Sequence, residues 1–382
     1  MKVSTGRAEK DWYGTNKSMS KKWLPTSFVP HHLFDLPRDT SQMIIAGPKT
    51  HRRASRKVLS NKKERELNNW GGNRQNIDKP MRKIHIADKG YKLINEDQSG
   101  ADALIVAHLA KRGRYRELFE NGIKPHAYLA LMNYPTELAK HFNADYIRTA
   151  ILAPIAELPT LTFWGDLNKL IKSTDDWEPT KRFYYFGKKT GHAGNYGMKA
   201  WKLLTTICEE TQGEIVLPTK EAERWLDNYH TKLFPEIEGS FQARVQDSVK
   251  RTKTLRNLFN WPLNITEKIL ESSDFWNKMY AWQAQSTVAA ITLQAYVNLQ
   301  EYIEYNDKDW HILQETHDSI TFQAPEKEAE EAARILKNFI EIELISPVDG
   351  IKFRMKSEAQ WGYNWSNYHK DKNPEGLREL VL

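Results

Sequence analysis

The chain has 382 residues, with 56 Lys plus Arg against 49 Asp plus Glu and a formal charge of +7, which accommodates two or three domains, or one large mixed domain, and suits a polyanionic partner. A single cysteine, Cys208, excludes an intramolecular disulfide and any zinc site built from several thiolates. Residues 1–14 lack the apolar core of a secretory leader and no apolar run approaches bilayer length, so a protein of a reducing, cytoplasmic compartment with no membrane partner is expected.

Residues 1–80 are polar, are interrupted by Pro25, Pro30, Pro37 and Pro48, and carry a cationic stretch, HRRASRKVLSNKKER, at 51–65. They read as mostly irregular, and the cationic stretch as a solvated loop or a DNA contact. From Arg82, the alternation in RKIHIA and YKLINED around Asp88-Lys89-Gly90 predicts two short strands joined by a turn, with Asp97 at the end of the second. Residues 101–110 and 114–120 predict two helices, the second stopped by Asn121-Gly122. The middle, residues 125–280, reads as mainly helical with breaks at Pro235 and Pro262. A long helix without Gly or Pro is expected over 279–303, then a hairpin in DWHILQETHDSITFQAP with His317 and Asp318 at its bend. After Pro325, Ala332, Ile335, Leu336, Phe339 and Ile340 trace one apolar helix face that should pack on the hairpin's sheet. Strands and helices mixed without regular βαβ alternation indicate an α+β fold.

Asp97 and Asp318 would meet if the two predicted hairpins lay side by side in one sheet. Two carboxylates so placed suit a pair of Mg2+ ions and phosphoryl chemistry, although an Asp at a bend is by itself an ordinary turn former. Lys188, His192 and Tyr196 are spaced i, i+4, i+8 and would line one helix face. Such a face would grip a triphosphate through its cations while the tyrosine packs near a base; a partly exposed amphipathic helix has the same spacing. Gly187, Gly191, Gly194 and Gly197 each cost about 1 kcal/mol of helix propensity, for which close approach of a ligand or a helix that moves are candidate reasons.

Seven separated segments, in order, resemble the polymerase core of family A DNA polymerases, particularly the phage type. Ser4-Thr5-Gly6-Arg7 resembles the TGR element, and Gly72 to Ile77 (GNRQNI) the NLQNI element. Asp97-Gln98-Ser99-Gly100-Ala101-Asp102-Ala103 resembles motif A; Lys188, His192, Tyr196 and Gly197 resemble motif B. Gln285-Ser286-Thr287-Val288-Ala289 resembles the QST element, Thr316-His317-Asp318-Ser319 motif C, and WGYNW from Trp361 the C-terminal tail.

The resemblance implies a right-hand core with an antiparallel palm sheet and helical fingers, acting on primer-template DNA and deoxynucleoside triphosphates with two Mg2+ ions. It divides the chain into a palm-edge segment with a basic insertion (1–80), palm with motif A (81–124), fingers with motif B (125–270), and palm with motif C and the tail (271–382). By the same resemblance Asp97 and Asp318 are the metal carboxylates, with the Gln98 backbone carbonyl a further ligand. Asp102 takes the place of the sugar-discriminating Glu, one methylene shorter. Lys188 contacts the triphosphate beside His192 and Tyr196, while His317, Arg7, Gln285, Gln75 and Asn76 contact DNA. Tyr184 stands where the family has an arginine, so Arg182 is expected to replace it, and Ser319 stands where bacterial members have Glu. Because TGR begins at the fourth residue, a thumb and an exonuclease domain are expected on a second polypeptide. A non-catalytic polymerase-like DNA-binding subunit and a single-subunit RNA polymerase are the alternatives, the latter disfavoured by the carboxylate of Asp102.

Overall fold

The computed structural model of the chain describes residues 2–3, 42–44, 54–56, 77, 79–160, 164–266 and 274–382. Its strands are β1 (Lys2–Val3), β2 (Gln42–Ile44), β3 (Ala54–Arg56), β4 (His85–Ile86), β5 (Tyr91–Gln98), β6 (Thr254–Arg256), β7 (Pro262–Asn264), β8 (His311–Thr316), β9 (Ser319–Pro325), β10 (Glu343–Ile345), β11 (Lys352–Arg354), β12 (Ser357–Gly362) and β13 (Arg378–Glu379). Its α-helices are α1 (Ala101–Leu109), α2 (Arg114–Glu120), α3 (Pro125–Asn133), α4 (Pro135–His141), α5 (Ala144–Leu152), α6 (Trp164–Ser173), α7 (Phe183–Asn195), α8 (Ala200–Glu210), α9 (Thr219–Asp227), α10 (Ala243–Thr252), α11 (Phe275–Tyr305) and α12 (Ala329–Ile340). The class is α+β, as expected.

Backbone contacts divide the chain into two units, one of Met1–Ala101, Gln285–Leu344 and Phe353–Leu382, the other of Asp102–Ala284 and Ile345–Lys352. The second unit is wider than residues 125–270. Its outlying piece is held by Arg116, fully buried on α2, whose guanidinium pairs with Asp349 and donates to the carbonyls of Ala107 (3.2 Å) and Ala110 (3.0 Å). A guanidinium is buried at tolerable cost only when its donors are satisfied in this way.

In the first unit an antiparallel sheet runs in the order β13-β12-β5-β9-β8. Alternation along β5 sends Ile94 to one face, where it joins Ile320, Phe322 and Ala324 of β9 under α12. The apolar stripe of α12 lies where its spacing puts it: Ala332, Leu336 and Ile340 are fully buried, with Ile335 and Phe339 partly so. Burial of each large aliphatic side chain there contributes about 1.5 to 3 kcal/mol. Leu93, on the opposite face, joins Ile77, Trp365 and Leu377. That face also carries Asn95 and Asp97.

The strand pair expected at 82–97 forms two strands and a turn but no hairpin. β4 pairs with β1, Lys2 opposite Ile86, whereas β5 takes β9 and β12 as neighbours. Gln323 of β9 holds both sides of Asp88, accepting from its N–H (3.1 Å) and donating to its carboxylate (2.9 Å). Ala87 N–H donates to Tyr363 O at 2.8 Å, so the chain is already led away before Gly90 (φ +84°) turns it into β5.

The second unit is mainly helical. Pro262 opens β7, which pairs with β6, and Pro235 lies between two π-helical segments, Asn228–Leu233 and Ile237–Gln242. Among the described residues no helix is long and apolar enough to cross a membrane.

Candidate functional site

Asp97 is the penultimate residue of β5 and pairs with Ser319, the first residue of β9. Asp318 therefore sits beside it in the turn between β8 and β9, and Gln98 N–H donates to Asp318 O at 3.0 Å. The turn is tight: Asp318 N–H donates to Thr316 O at 2.6 Å across His317, which has φ +53°. A histidine in this left-handed region costs of order 1 kcal/mol or more, and here the strain directs the backbone so that Asp318 follows at once. Asp97 is exposed and Asp318 half-buried.

Helix α11 holds this end of the sheet from behind. Gln98 is buried, and its side-chain amide donates to Thr292 Oγ1 (2.7 Å) and Val288 O (3.4 Å). Thr292, fully buried, has its hydroxyl 3.0 Å from Val288 O and 3.4 Å from His317 O. One hydroxyl thus connects the end of β5 to the His317 turn. Gln285 lies two helical turns earlier on α11, half-buried.

Three neighbours were not singled out from the sequence. Glu358 of β12 pairs directly with Asp97 and accepts from Ser99 Oγ at 3.0 Å, and directly opposed residues share a sheet face. Like charges so opposed repel, which favours a cation at this edge. Glu96 points to the other face, where burial pushes its carboxyl up to about 7, Ser357 and Lys337 opposing the rise only in part. Arg82 has its guanidinium carbon 4.5 Å from the centroid of the Trp365 ring. Burial lowers its pKa and the charge of Asp97 acts in the opposite sense. A glutamate in a tail strand or an arginine before β4 has no local pattern; only the register reveals them.

In the second unit, α7 has no side-chain N-cap of its own. Its first N–H groups are satisfied from the preceding turn instead, Tyr184 N–H donating to Thr174 Oγ1 (3.1 Å) and Tyr185 N–H to Asp175 Oδ1 (2.7 Å). Lys188 and His192 are exposed on one face, and the buried Tyr196 ring meets His192 edge-on with centroids 4.9 Å apart. Behind them, His126 of α3 is held near 4, first by burial and then by the charges of Lys188 and His192. Tyr184 leans edge-on against His126. Arg182 is not on this face; its guanidinium pairs with Glu214 at 3.0 Å.

The glycines of α7 are explained by packing inside the protein, which replaces the expectation of a ligand or a moving helix. A Cβ at Gly187 would strike the backbone carbonyl of His126, and one at Gly194 the ring of Tyr229, both well inside contact distance. At Gly191 it would stand 3.2 Å from Leu129 Cδ1. Gly197 has φ +66° and lies against Tyr280, and Met198 N–H returns to Ala193 O at 2.8 Å to close the helix. The end is fixed further: Gln242 donates to the carbonyls of Gly194 and Asn195, and Asn277 to Tyr196 O at 2.6 Å.

Asp102 lies in the first turn of α1, half-buried. Arg7, Gln75 and Asn76 lie outside the described residues, as does the cationic stretch except for β3. The structure therefore gathers Asp97, Gln98, His317 and Asp318 in one unit, and Lys188, His192 and Tyr196 in the other.

The POL domain of Pol1 from M. smegmatis, solved in complex with DNA primer-template and dNTP, has a similar fold, with a TM-score of 0.57 and 15% sequence identity. The match covers 96% of this chain and 58% of that one, so the chain spans less than two thirds of the length of its structural relative. The model of DNA polymerase family A matches residues 174–367, a stretch that takes in α7 with Lys188 and His192, the length of α11, the β8–β9 turn with Asp318, and β12 with Glu358. With more than half of its length matched, and with an antiparallel sheet that sets two aspartates side by side, the chain belongs to DNA polymerase family A.

Proposed function

We propose that the chain catalyses template-directed deoxynucleotidyl transfer. The 3′-hydroxyl of a primer attacks the α-phosphorus of a deoxynucleoside triphosphate, an O–P bond forms, the bond to pyrophosphate breaks, and the hydroxyl proton is lost. The observation that carries this reading is the register placing Asp97 opposite Ser319, and so beside Asp318.

Asp97 and Asp318 would hold two Mg2+ ions, with the Gln98 carbonyl as a further oxygen donor. The donor set fits by its chemistry, since all are hard oxygens; among the described residues no group of three or more His, Cys, Asp or Glu is arranged to hold a metal ion. Mg2+ retains waters and takes phosphate oxygens, so it needs only one or two protein carboxylates. Bound there, it supplies Lewis acidity to the attacking and leaving oxygens. The chain's own part is positional. Gln98 and Thr292 fix the strand end and the turn, so that both carboxylates stay in place without reorganisation during the reaction. Lys188 is assigned the charge that develops on the leaving pyrophosphate, with His192 and Tyr196 beside the nucleotide. Arg182 would join them only by leaving Glu214. Asp102 is assigned exclusion of the 2′-hydroxyl. His317, Gln285, Arg7, Gln75 and Asn76 are assigned to primer and template.

Primer extension with Mg2+, labelled primer-template and four deoxynucleotides tests the reading. The chain should extend the primer, and its Asp318→Asn variant should bind the same DNA without extending it. DNA binding by both and extension by neither would overturn the assignment of catalysis.

A further inference from the structure

We propose that Arg82 anchors a backbone phosphate of the nucleic-acid strand that lies across the Asp97 face of the sheet. The inference rests on the nucleotidyl-transfer reading above and adds to it a residue of the strand-binding surface.

The face has a charge problem. Asp97 and Glu358 are directly opposed on it, and Asp318 adjoins them. A polyanion laid over these carboxylates is repelled unless a cation of the same face holds it. Arg82 meets that need by position. Trp365, under its guanidinium, packs with Leu93 and Leu377; Leu93, Asn95 and Asp97 alternate onto one side of β5. The residue is also constrained: its Nε donates to Ile77 O at 3.3 Å while its guanidinium carbon lies over the Trp365 ring, 4.5 Å from the centroid. The Nη edge is the part of an arginine that takes phosphate oxygens in a bidentate fork, and these two contacts hold the group in place before the ligand arrives. Asp97 is near enough for its charge to act on the guanidinium, which places the anchored phosphate close to the carboxylates. A lysine would supply charge here without the two-pronged fork.

Fluorescence anisotropy of a labelled primer-template, titrated in EDTA over a series of salt concentrations, separates a phosphate contact from a structural staple. Each phosphate contact contributes about 0.9 to the slope of log K against log salt on duplex DNA. Arg82→Ala should lower the slope by about that amount and weaken binding about tenfold at low salt. Arg82→Lys should keep the slope and recover part of the affinity. Trp365→Leu should weaken binding with the slope unchanged, because the charge remains and its orientation is lost. Nucleotide KM should be unaltered in Arg82→Ala; a raised KM with an unchanged DNA slope would assign the residue to the triphosphate and overturn the proposal. So would an Arg82→Ala protein that is less stable to heat yet binds DNA with the wild-type slope, since that is the behaviour of a staple. If the unaltered chain binds no primer-template, the transfer reading fails first and this inference with it. Extension by the wild type with an unaffected Arg82→Ala slope sinks this inference alone.

Discussion

At the ends of β5 and β9, the acidic pair is placed by backbone register and a tight turn, and the side chains themselves project from the fold. Along α7, Lys188 and His192 also project, but the helix under them is placed by the absence of side chains at Gly187, Gly191 and Gly194. The two regions therefore fail in opposite ways. Changing a functional group at the sheet end should remove chemistry and spare the fold, whereas adding a single methyl on the hidden side of α7 should disturb the fold before it touches chemistry. Asp97→Asn is the sharpest test of the first half. Extension should fall by about 10³-fold or more, as expected when a group acting on the reacting phosphate is lost. Thermal melting should move little, because Asp97 is exposed. A variant that melted much earlier would show that the carboxylate also supports the strand.

One residue away the sheet end behaves like a core. Glu96 is fully buried and its pKa is raised to about 7 from the ordinary 4.5, mainly by burial. The native state thus holds a proton that the unfolded chain releases above about pH 4.5. Stability attributable to this group is complete below that value and declines as pH rises to 7. Above pH 7 the buried site costs about 3 kcal/mol. Glu96→Gln should accordingly be more stable than the wild type by up to about that amount at pH 8, with the gain fading by pH 4.5. Urea denaturation of both proteins at the two pH values measures the difference. Equal stability at pH 8 would mean that water reaches the carboxyl.

On the α7 side the graded test is Gly187→Ala against Gly191→Ala. The first collides with the His126 backbone, which cannot yield without moving α3, so overpacking of up to about 3 kcal/mol outweighs the helix-propensity gain of about 1 kcal/mol. A net loss of about 2 kcal/mol is expected by chemical denaturation. The second meets only the end of the Leu129 side chain at 3.2 Å, and should be neutral or slightly stabilising. If both cost the same, close helix packing is not what the glycines provide.

What could be read from the sequence follows the same division. The β8–β9 hairpin, α12 and the pair α1 and α2 were legible because alternation, a 3.6-residue stripe and the Asn121-Gly122 stop are local signals. That Asp97 and Asp318 could adjoin was legible only as a condition, two hairpins side by side in one sheet; the first hairpin does not form, and the pairing of β5 alone with β9 brings the aspartates together. The neighbours of β5 were not legible: a local turn signal at Asp88-Lys89-Gly90 indicates a reversal, while the strands that flank β5 come from far along the chain, and Gln323, which holds Asp88, is 235 residues away. The meaning of the α7 glycines was hidden for the same reason, since their partners His126, Leu129 and Tyr229 lie in other helices. Motif residues identified the family; Glu358, Arg82 and Thr292 stand in strands, turns and helices that announce nothing.

Thr292 gives the smallest expected effect and the most direct probe of how the sheet end is held. Its side chain sits in the apolar run of α11, where valine has nearly the same shape and would be the ordinary choice. The hydroxyl receives the Gln98 amide and faces His317 O, which valine could not do. Thr292→Val leaves that amide with Val288 O alone, at 3.4 Å, and an unsatisfied buried donor costs about 1 to 3 kcal/mol. Valine's better burial offsets part of this, so a net destabilisation of about 1 kcal/mol is expected by urea denaturation. The kinetic consequence separates positioning from mere stability. With β5 and the turn no longer tied to one hydroxyl, kcat should fall several-fold while nucleotide KM holds, because the role proposed for Asp97 and Asp318 is on the reacting phosphate and not on the base. Thr292→Ser, which keeps the hydroxyl and removes a methyl, should be destabilised comparably yet retain its kcat. A serine variant as slow as the valine one would mean that packing of the methyl group, and not the hydroxyl, holds the two aspartates together.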